Sequence, residues 1–355
     1  MIVTNKESIS ISIENQEFDL PFLWLRDNCQ CDECRITETQ EKQFLLHTVP
    51  VDISPEKVDK VDDNLEIKWP DGHNSVIPLS KILECNIPRY PENKFWPNSF
   101  IPTKFVWKDF LDDIPTAISA LKDLISYGVI ILNAAPNASN SLEMLSKRLG
   151  PIHETLFERI HNVSVTGHVY NVAHTSKGLP PHNDFASYKS QPSIQALHML
   201  ENECEGGESI IVDGWKVSED LRNERPDFFK VLQEFDVPFR EFDQDNETFA
   251  EAPIIQCSND GSVDSLRYSN QLMQMINPKR KGVKEFYKAY HEISARVHDL
   301  KYRSTFRLNG GEVLIVASHR VLHAREPFTP NGKRHLQDAY FVYDNAANNI
   351  VLLSN

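Results

Sequence analysis

The sequence predicts a mainly β protein with added helices: a small β-rich N-terminal domain, then a larger β-sandwich or jelly roll. Three observations carry that prediction. Apolar runs of strand length crowd the second half, at 193–200, 208–214, 312–318 and 337–343, and they do not alternate with helices as a doubly wound sheet requires. A proline-studded stretch, "NIPRYPENKFWPNSFIP" (86–102), sets that half apart from what precedes it. Three of the six cysteines, Cys29, Cys31 and Cys34, fall within six positions of one another, which marks the N-terminal part as a separately stapled unit.

Taken in order, "ISISI" (9–13) alternates apolar and polar residues and reads as a half-buried strand. "LEIKW" (65–69) and "NSVIPL" (74–79) flank "PDGH", a tight hairpin turn. In 86–102, Pro88, Pro91, Pro97 and Pro102 each fix a backbone angle and bias the preceding residue toward extended geometry. This connector divides the chain into domains 1–95 and 96–355. "IPTAISALKDLISYG" (114–128) puts Ile118, Leu121 and Ile125 on one helical face, and Gly128 suits the position after the helix end. "VIIL" follows as a buried strand. Residues 283–298 repeat the helical period through Phe286, Tyr290, Ile293 and Val297. The strands "SIQALHML", "ESIIVDG", "EVLIVAS" and "QDAYFVY" complete the β half.

A chain of 355 residues has room for one large and one small core. Hydrophobic content of 40% and charged content of 25% are ordinary for a globular protein. A net charge of −14 repels nucleic acid and anionic membranes. "MIVTNKESISISIENQEF" lacks the apolar core of a leader peptide, and "VIIL" and "VLIVA" are too short to span a bilayer. The expectation is a cytoplasmic protein with a small-molecule partner and neither nucleic acid nor membrane.

The cysteines make a poor disulfide framework and a good ligand set for a reducing compartment. "CQCDEC" supplies three thiolates from Cys29, Cys31 and Cys34, and His73 in "WPDGHNS" offers a fourth ligand. Three thiolates and one imidazole close a tetrahedral Zn²⁺ site with no open position, so the site is structural. A domain of about 90 residues has a small core and gains much from such a staple.

A second constellation begins at "HNDF" (182–185). Of the 13 histidines, only His182 has a carboxylate two positions on. Residues two apart on an extended backbone share a side, so His182 and Asp184 suit one metal ion. His198, His319, His323 and His335 lie near strand ends and could supply the third ligand. His198 sits inside "SIQALHML" as a core histidine, whereas His323 lies just past an apolar strand and is trailed by Arg325 and Arg334. His182, Asp184 and His323 then form a 2-His-1-carboxylate face that leaves three positions of an octahedral Fe(II) open. Three positions suit a bidentate 2-oxo acid and O2. Arg334, opening "RHLQDAYFVYD", can clamp the far carboxylate of 2-oxoglutarate through two parallel hydrogen bonds. No HExxH exists, since neither His153 nor His291 has a histidine four residues on. A non-catalytic, zinc-stabilised binding protein is the reading from another class; it predicts a damaged triad or a lost arginine, and the sequence has neither.

These residues sit in motifs that resemble a known family. "LWLRDNCQCDEC", "WPDGHNS", "NVAHT…PPHNDF", "GGESIIVDGW", "HRVLHARE" and "RHLQDAYFVYD" resemble the γ-butyrobetaine dioxygenase and trimethyllysine dioxygenase family, in consistent order from about residue 20 to 345. These are Fe(II)/2-oxoglutarate oxygenases with an N-terminal zinc domain. The resemblance implies a double-stranded β-helix core, a homodimer, and 2-oxoglutarate held by Arg334 with Leu197 lining its site. It also implies hydroxylation of an unactivated C–H bond, as in carnitine biosynthesis.

The family's betaine hydroxylases surround a trimethylammonium group with aromatic rings, because a quaternary cation is drawn to ring faces. The matching positions are Phe157, His161, His174 and Phe185, so two of the four carry imidazole. Asn171, Asn270 and Tyr340 match positions that hold the substrate carboxylate. "SHR" (318–320) stands where the family has "NWR". The implied substrate is γ-butyrobetaine or a related quaternary ammonium compound. Trimethyllysine, a trimethylaminoalkyl phosphonate or another small amino acid is the alternative.

Overall fold

A computed structural model describes residues 2–164 and 175–354. The chain falls into two compact units, Met1–Arg89 and Tyr90–Asn355. The division comes early in the proline-rich connector because Trp96 is already core: it is 3% exposed and stacks on Phe100 with ring centroids 4.8 Å apart.

The first unit holds two three-stranded antiparallel sheets, one of Ile2–Thr4, Ser8–Ile13 and Gln16–Pro21, the other of Lys57–Val61, Asn64–Lys68 and Asn74–Pro78. Ile9, Ile11 and Ile13 share one core with Leu65, Ile67, Trp69 and Ile77, the outcome of period-2 alternation. The 70–73 turn closes with the Trp69 N–H donating to the His73 carbonyl at 2.9 Å. Gly72 takes φ +86° there, a conformation that costs glycine nothing.

The second unit is built on two sheets. A six-stranded sheet runs in the order Lys104–Val106, Val129–Asn133, Glu312–Ala317, Ile194–Asn202, Arg334–Phe341, His161–Ser164, antiparallel except for its first pair. A four-stranded antiparallel sheet runs Leu179–His182, Val321–Arg325, Ser209–Asp213, Arg303–Phe306. One apolar cluster draws on both: Ile131, Met199, Leu314 and Leu336 from the larger, Ile211 and Val321 from the smaller. The other face of the larger sheet, with Ile130, Leu132, Val313, Ile315 and Phe341, packs on the helices Ile114–Tyr127 and Tyr343–Ser354. Both faces are buried, so "VIIL" and "VLIVA" read as unbroken apolar runs.

The smaller sheet's outer residues, Val212 and Leu322, pack under the helices Gly214–Glu224, Pro226–Glu234 and Val283–His298. The expected helices at 114–128 and 283–298 form as Ile114–Tyr127 and Val283–His298; Gly128 ends the first at φ +78°. Arg320 of "SHR" is 1% exposed and makes a two-point pair with Asp213 (3.1 and 2.8 Å), which pins one end of the Ser209–Asp213 strand. Among the described residues, no helix is long and apolar enough to cross a membrane.

Candidate active site and metal centres

The antiparallel ladder between Leu179–His182 and Val321–Arg325 sets His182 directly opposite His323. Cross-strand partners lie side by side, and the two imidazole centroids are 4.3 Å apart. Asp184 reaches them differently from the sequence expectation. The strand ends at His182, and the chain turns through 184–187 with Phe185 at φ +53°. Fully buried Asn183 holds that turn, donating to the carbonyls of Leu266 and Ser318 and accepting from the Tyr268 N–H. A pinned turn, not a shared strand face, aims the carboxylate.

The three donor atoms converge. Asp184 Oδ1 is 3.1 Å from His182 Nε2, and Asp184 Oδ2 is 3.8 Å from His323 Nε2. Adjacent ligands of an octahedral ion stand about 3 Å apart. His182 Nδ1 is 2.9 Å from the Pro180 carbonyl; a carbonyl only accepts, so Nδ1 carries the proton and Nε2 offers its lone pair to the site. Asp184 Oδ2 accepts from Gln195 Nε2 (2.7 Å) and the Tyr340 hydroxyl (2.8 Å). Burial opposes ionisation of Asp184, but His323 and His182 outweigh it and hold the carboxyl far below its usual range. Burial beside His182 pushes His323 down to about 4. The donor set fits iron. The other histidine candidates lie elsewhere: His198 is fully buried against Trp107, His319 packs on Tyr343, and His335 meets Asn162.

One cavity joins the triad to the larger sheet. Its walls include Leu197, Arg334, Phe157, His161, Phe185 and Tyr340. Arg334 is 9% exposed, its Nε has no hydrogen-bond partner, and no carboxylate among the described residues pairs with it. Burial, with Arg325 and Arg307 nearby, pushes it down to about 10, so it stays cationic at neutral pH. A buried, unpaired guanidinium calls for an anion, and the far carboxylate of 2-oxoglutarate fits that demand.

The expected ring positions Phe157, His161 and Phe185 come together: Phe157 and Phe185 stack at 6.1 Å, and His161 meets Phe185 edge-on at 5.9 Å. Tyr340 departs from its expected role. Its ring lies 4.9 Å from Phe185 and 5.6 Å from His161, and its hydroxyl lies 2.6 Å from Asp338 Oδ2 and 2.8 Å from Asp184 Oδ2. The hydroxyl's one hydrogen is already taken by these carboxyl oxygens and is not free for a substrate carboxylate, so Tyr340 sits with the rings. Asn270 also departs: it is exposed, 3.4 Å from the Tyr290 hydroxyl, and outside the cavity wall. Asn171 and His174 lie outside the described residues.

The lining residues that escaped the sequence reading include the polar Gln195, Glu241 and Asp338. Burial and Asp184 push Glu241 up to about 7, and burial likewise raises Asp338. Asp338 carried a readable signal. Arg334, Leu336, Asp338 and Tyr340 are alternate residues of one strand and all line the cavity.

In the first unit, Cys29, Cys31 and Cys34 place their sulfurs 3.4, 3.7 and 3.5 Å from His73 Nε2. A tetrahedral zinc with ordinary Zn–S and Zn–N bonds sets sulfur and nitrogen about 3.6 Å apart, so the cluster fits Zn²⁺. Glu33 stands 3.4 Å from His73 Nδ1, the outer partner that orients a ligating imidazole.

A family model described as taurine catabolism dioxygenase TauD, TfdA family matches residues 95–340, and one described as γ-butyrobetaine hydroxylase-like, N-terminal, matches residues 2–78. The chain is 31% identical to a γ-butyrobetaine dioxygenase of Pseudomonas sp. (strain AK-1), over 93% of this chain and 89% of that protein. It is 24% identical to the mitochondrial trimethyllysine dioxygenase of Homo sapiens, over 98% of this chain and 86% of that one. Among solved structures it resembles the non-heme iron oxygenase OrfP in complex with Fe and α-ketoglutaric acid. That match has a TM-score of 0.50 and 15% identity, over 67% of this chain and 84% of that one.

Proposed function

The chain belongs to the taurine catabolism dioxygenase TauD, TfdA family and is a 2-oxoglutarate-dependent dioxygenase; from that premise we propose that it hydroxylates an unactivated C–H bond of a small zwitterion with a cationic nitrogen. γ-Butyrobetaine and related quaternary ammonium compounds head that class, with trimethyllysine as the alternative, after the relatives named for those substrates. The observation that carries the reading is the convergence, in one cavity, of the His182, Asp184 and His323 donors with the buried, unpaired Arg334.

In this reading His182, Asp184 and His323 hold Fe(II), and Arg334 with Leu197 seats 2-oxoglutarate. Bound iron supplies the coupling of oxo-acid decarboxylation, by O2, to C–H hydroxylation. The chain's own residues do the positioning. Pro180 fixes the His182 tautomer, and Gln195 and Tyr340 fix the Asp184 carboxylate. Phe157, His161, Phe185 and Tyr340 surround the substrate nitrogen, with His174 as a further candidate, and Asn171 is the candidate for the substrate carboxylate. The two sheets read as the halves of a double-stranded β-helix, supported by their shared apolar cluster. Residues 1–95 form the zinc-binding domain and 96–355 the dioxygenase domain of a cytoplasmic homodimer, an assembly that rests on the family resemblance alone.

The test is succinate release by the iron-loaded protein across γ-butyrobetaine, trimethyllysine, trimethylaminoalkyl phosphonates and free amino acids. One zwitterion should raise succinate well above the substrate-free level. A flat panel, with iron and 2-oxoglutarate both bound, would overturn the reading.

A further inference from the structure

The ring-lined end of the cavity has more hydrogen-bond acceptors than donors. Asp338, 4% exposed, faces it from the strand Arg334–Phe341, beside the Tyr340 hydroxyl, and Glu241 lines the same cavity from the strand Val237–Phe242, near Asp184 and His182. Gln195 is 1% exposed; its Nε2 lies 2.7, 3.0 and 3.1 Å from oxygens of Asp184, Asp338 and Tyr340, while its Oε1 is buried with no partner. The amide has two hydrogens and the Tyr340 hydroxyl one, and these go to Asp184 Oδ2, Asp338 Oδ2 and the Tyr340 oxygen, which leaves Asp338 Oδ1 with no donor among the described residues. The Glu241 carboxyl accepts no hydrogen bond from any described residue. Metal at the triad would neutralise Asp184 but would leave Asp338, Glu241 and Gln195 Oε1 as they are.

A quaternary ammonium answers ring faces and not such acceptors, because its charge is sheathed in methyl groups and it has no hydrogen to donate. An ammonium that keeps N–H bonds meets both needs: it brings a positive charge to the two carboxyl groups and supplies hydrogens to the unserved acceptors through charge-assisted hydrogen bonds. We infer that the cavity selects a substrate whose cationic nitrogen retains at least one N–H, held by Asp338, Glu241 and Gln195, over its fully methylated counterpart. The inference rests on the hydroxylase reading and, within its class of small zwitterions with a cationic nitrogen, sets N–H-bearing members ahead of the quaternary compounds that the relatives' names suggest. Asp338 and Glu241 are then specificity-determining residues. His161, whose Nε2 is 3.1 Å from Thr155 Oγ1, is a hydrogen-bonded wall of the same pocket.

Calorimetric titration of a methylation series decides the matter. The probes are 4-aminobutyrate, its N-methyl and N,N-dimethyl derivatives, and γ-butyrobetaine. Each is added anaerobically to the protein loaded with Fe(II) and 2-oxoglutarate, and succinate is then measured in air. The dimethyl compound differs from γ-butyrobetaine by one methyl in place of one N–H, and it should bind about tenfold to a hundredfold more tightly. Asp338→Asn keeps shape while removing charge, and Glu241→Gln changes a partly exposed side chain. Each should shrink that gap by weakening the N–H-bearing compounds most.

Equal or tighter binding of γ-butyrobetaine overturns the inference, as does no binding by any N–H-bearing member, or an equal loss across the series in both variants. Succinate released with γ-butyrobetaine favoured leaves the hydroxylase reading standing and removes only this one. The predicted binding order with no succinate from any zwitterion removes the hydroxylase reading instead.

Discussion

Replacing Arg334 with Met separates a ligand-binding arginine from a structural one. The substitution keeps an unbranched side chain at a site 9% exposed and removes a guanidinium that no described carboxylate pairs with. Hydrogen bonds to charged groups contribute about 1.5–3 kcal/mol each, and the two bonds of a fork do not add in full. The Michaelis constant for 2-oxoglutarate should therefore rise tens to hundreds of times. Stability should move the other way. A buried cation pressed by Arg325 and Arg307, and pushed down to about 10, opposes folding until an anion arrives. Without 2-oxoglutarate the variant should melt no lower than the parent. With millimolar 2-oxoglutarate the parent's melting temperature should climb while the variant's stays flat, since a ligand stabilises only the fold it binds. Thermal melting with and without the oxo acid, beside initial rates over an oxo-acid series, reads both effects. An unchanged Michaelis constant with a much lower melting temperature would show that Arg334 is a structural residue.

Three further outcomes test the remaining parts. His182→Ala should abolish substrate-coupled succinate release and retain the melting transition, because a metal ligand lining a cavity is not a packing residue; full activity in the variant removes the triad. Cys31→Ser should lower zinc content and melting temperature far more than iron content, and a zinc-free parent that melts unchanged in strong chelator would refute the zinc site. His198 is the pH probe. Both its ring nitrogens are buried without partners, and burial pushes it down to about 4, below the unfolded value of about 6.5. Its neutral form therefore supports the fold above about pH 6.5, and that support fades toward pH 4, by at most about 1.4 kcal/mol per pH unit. Denaturant unfolding at pH 7 and pH 5 should show a smaller acid loss in His198→Phe than in the parent; parallel losses would contradict the assignment.

Much of the site was legible because strand periodicity is simple. Arg334 and Tyr340 already implied Leu336 and Asp338 by parity, and Leu197 implied Gln195, its same-face neighbour. The role of Tyr340 was not legible, since a motif match carries no information about the carboxylates that surround its hydroxyl. Glu241 had no signal: it lies in an ordinary amphipathic hairpin strand and reaches the cavity through tertiary packing. The cysteine cluster read directly because its ligands are local, with His73 brought in by a recognisable turn. The pair His182 and Asp184 was found for a reason that does not apply, since Asp184 lies in a turn beyond the strand. The helices Gly214–Glu224 and Pro226–Glu234 escaped a reading weighted to strands. Their start signals were nonetheless present in the Asp213 cap, which accepts from the Trp215 and Lys216 N–H groups, and in Pro226 at a helix start.

The central claim is that His182, Asp184 and His323 hold one ferrous ion with room beside it for 2-oxoglutarate near Arg334. Anaerobic addition of one equivalent of Fe(II), then of 2-oxoglutarate, followed in the visible spectrum, addresses it directly. A weak charge-transfer band should appear that needs both additions, saturates at one iron per chain and disappears in His182→Ala. No band, or one that survives His182→Ala unchanged, would contradict it.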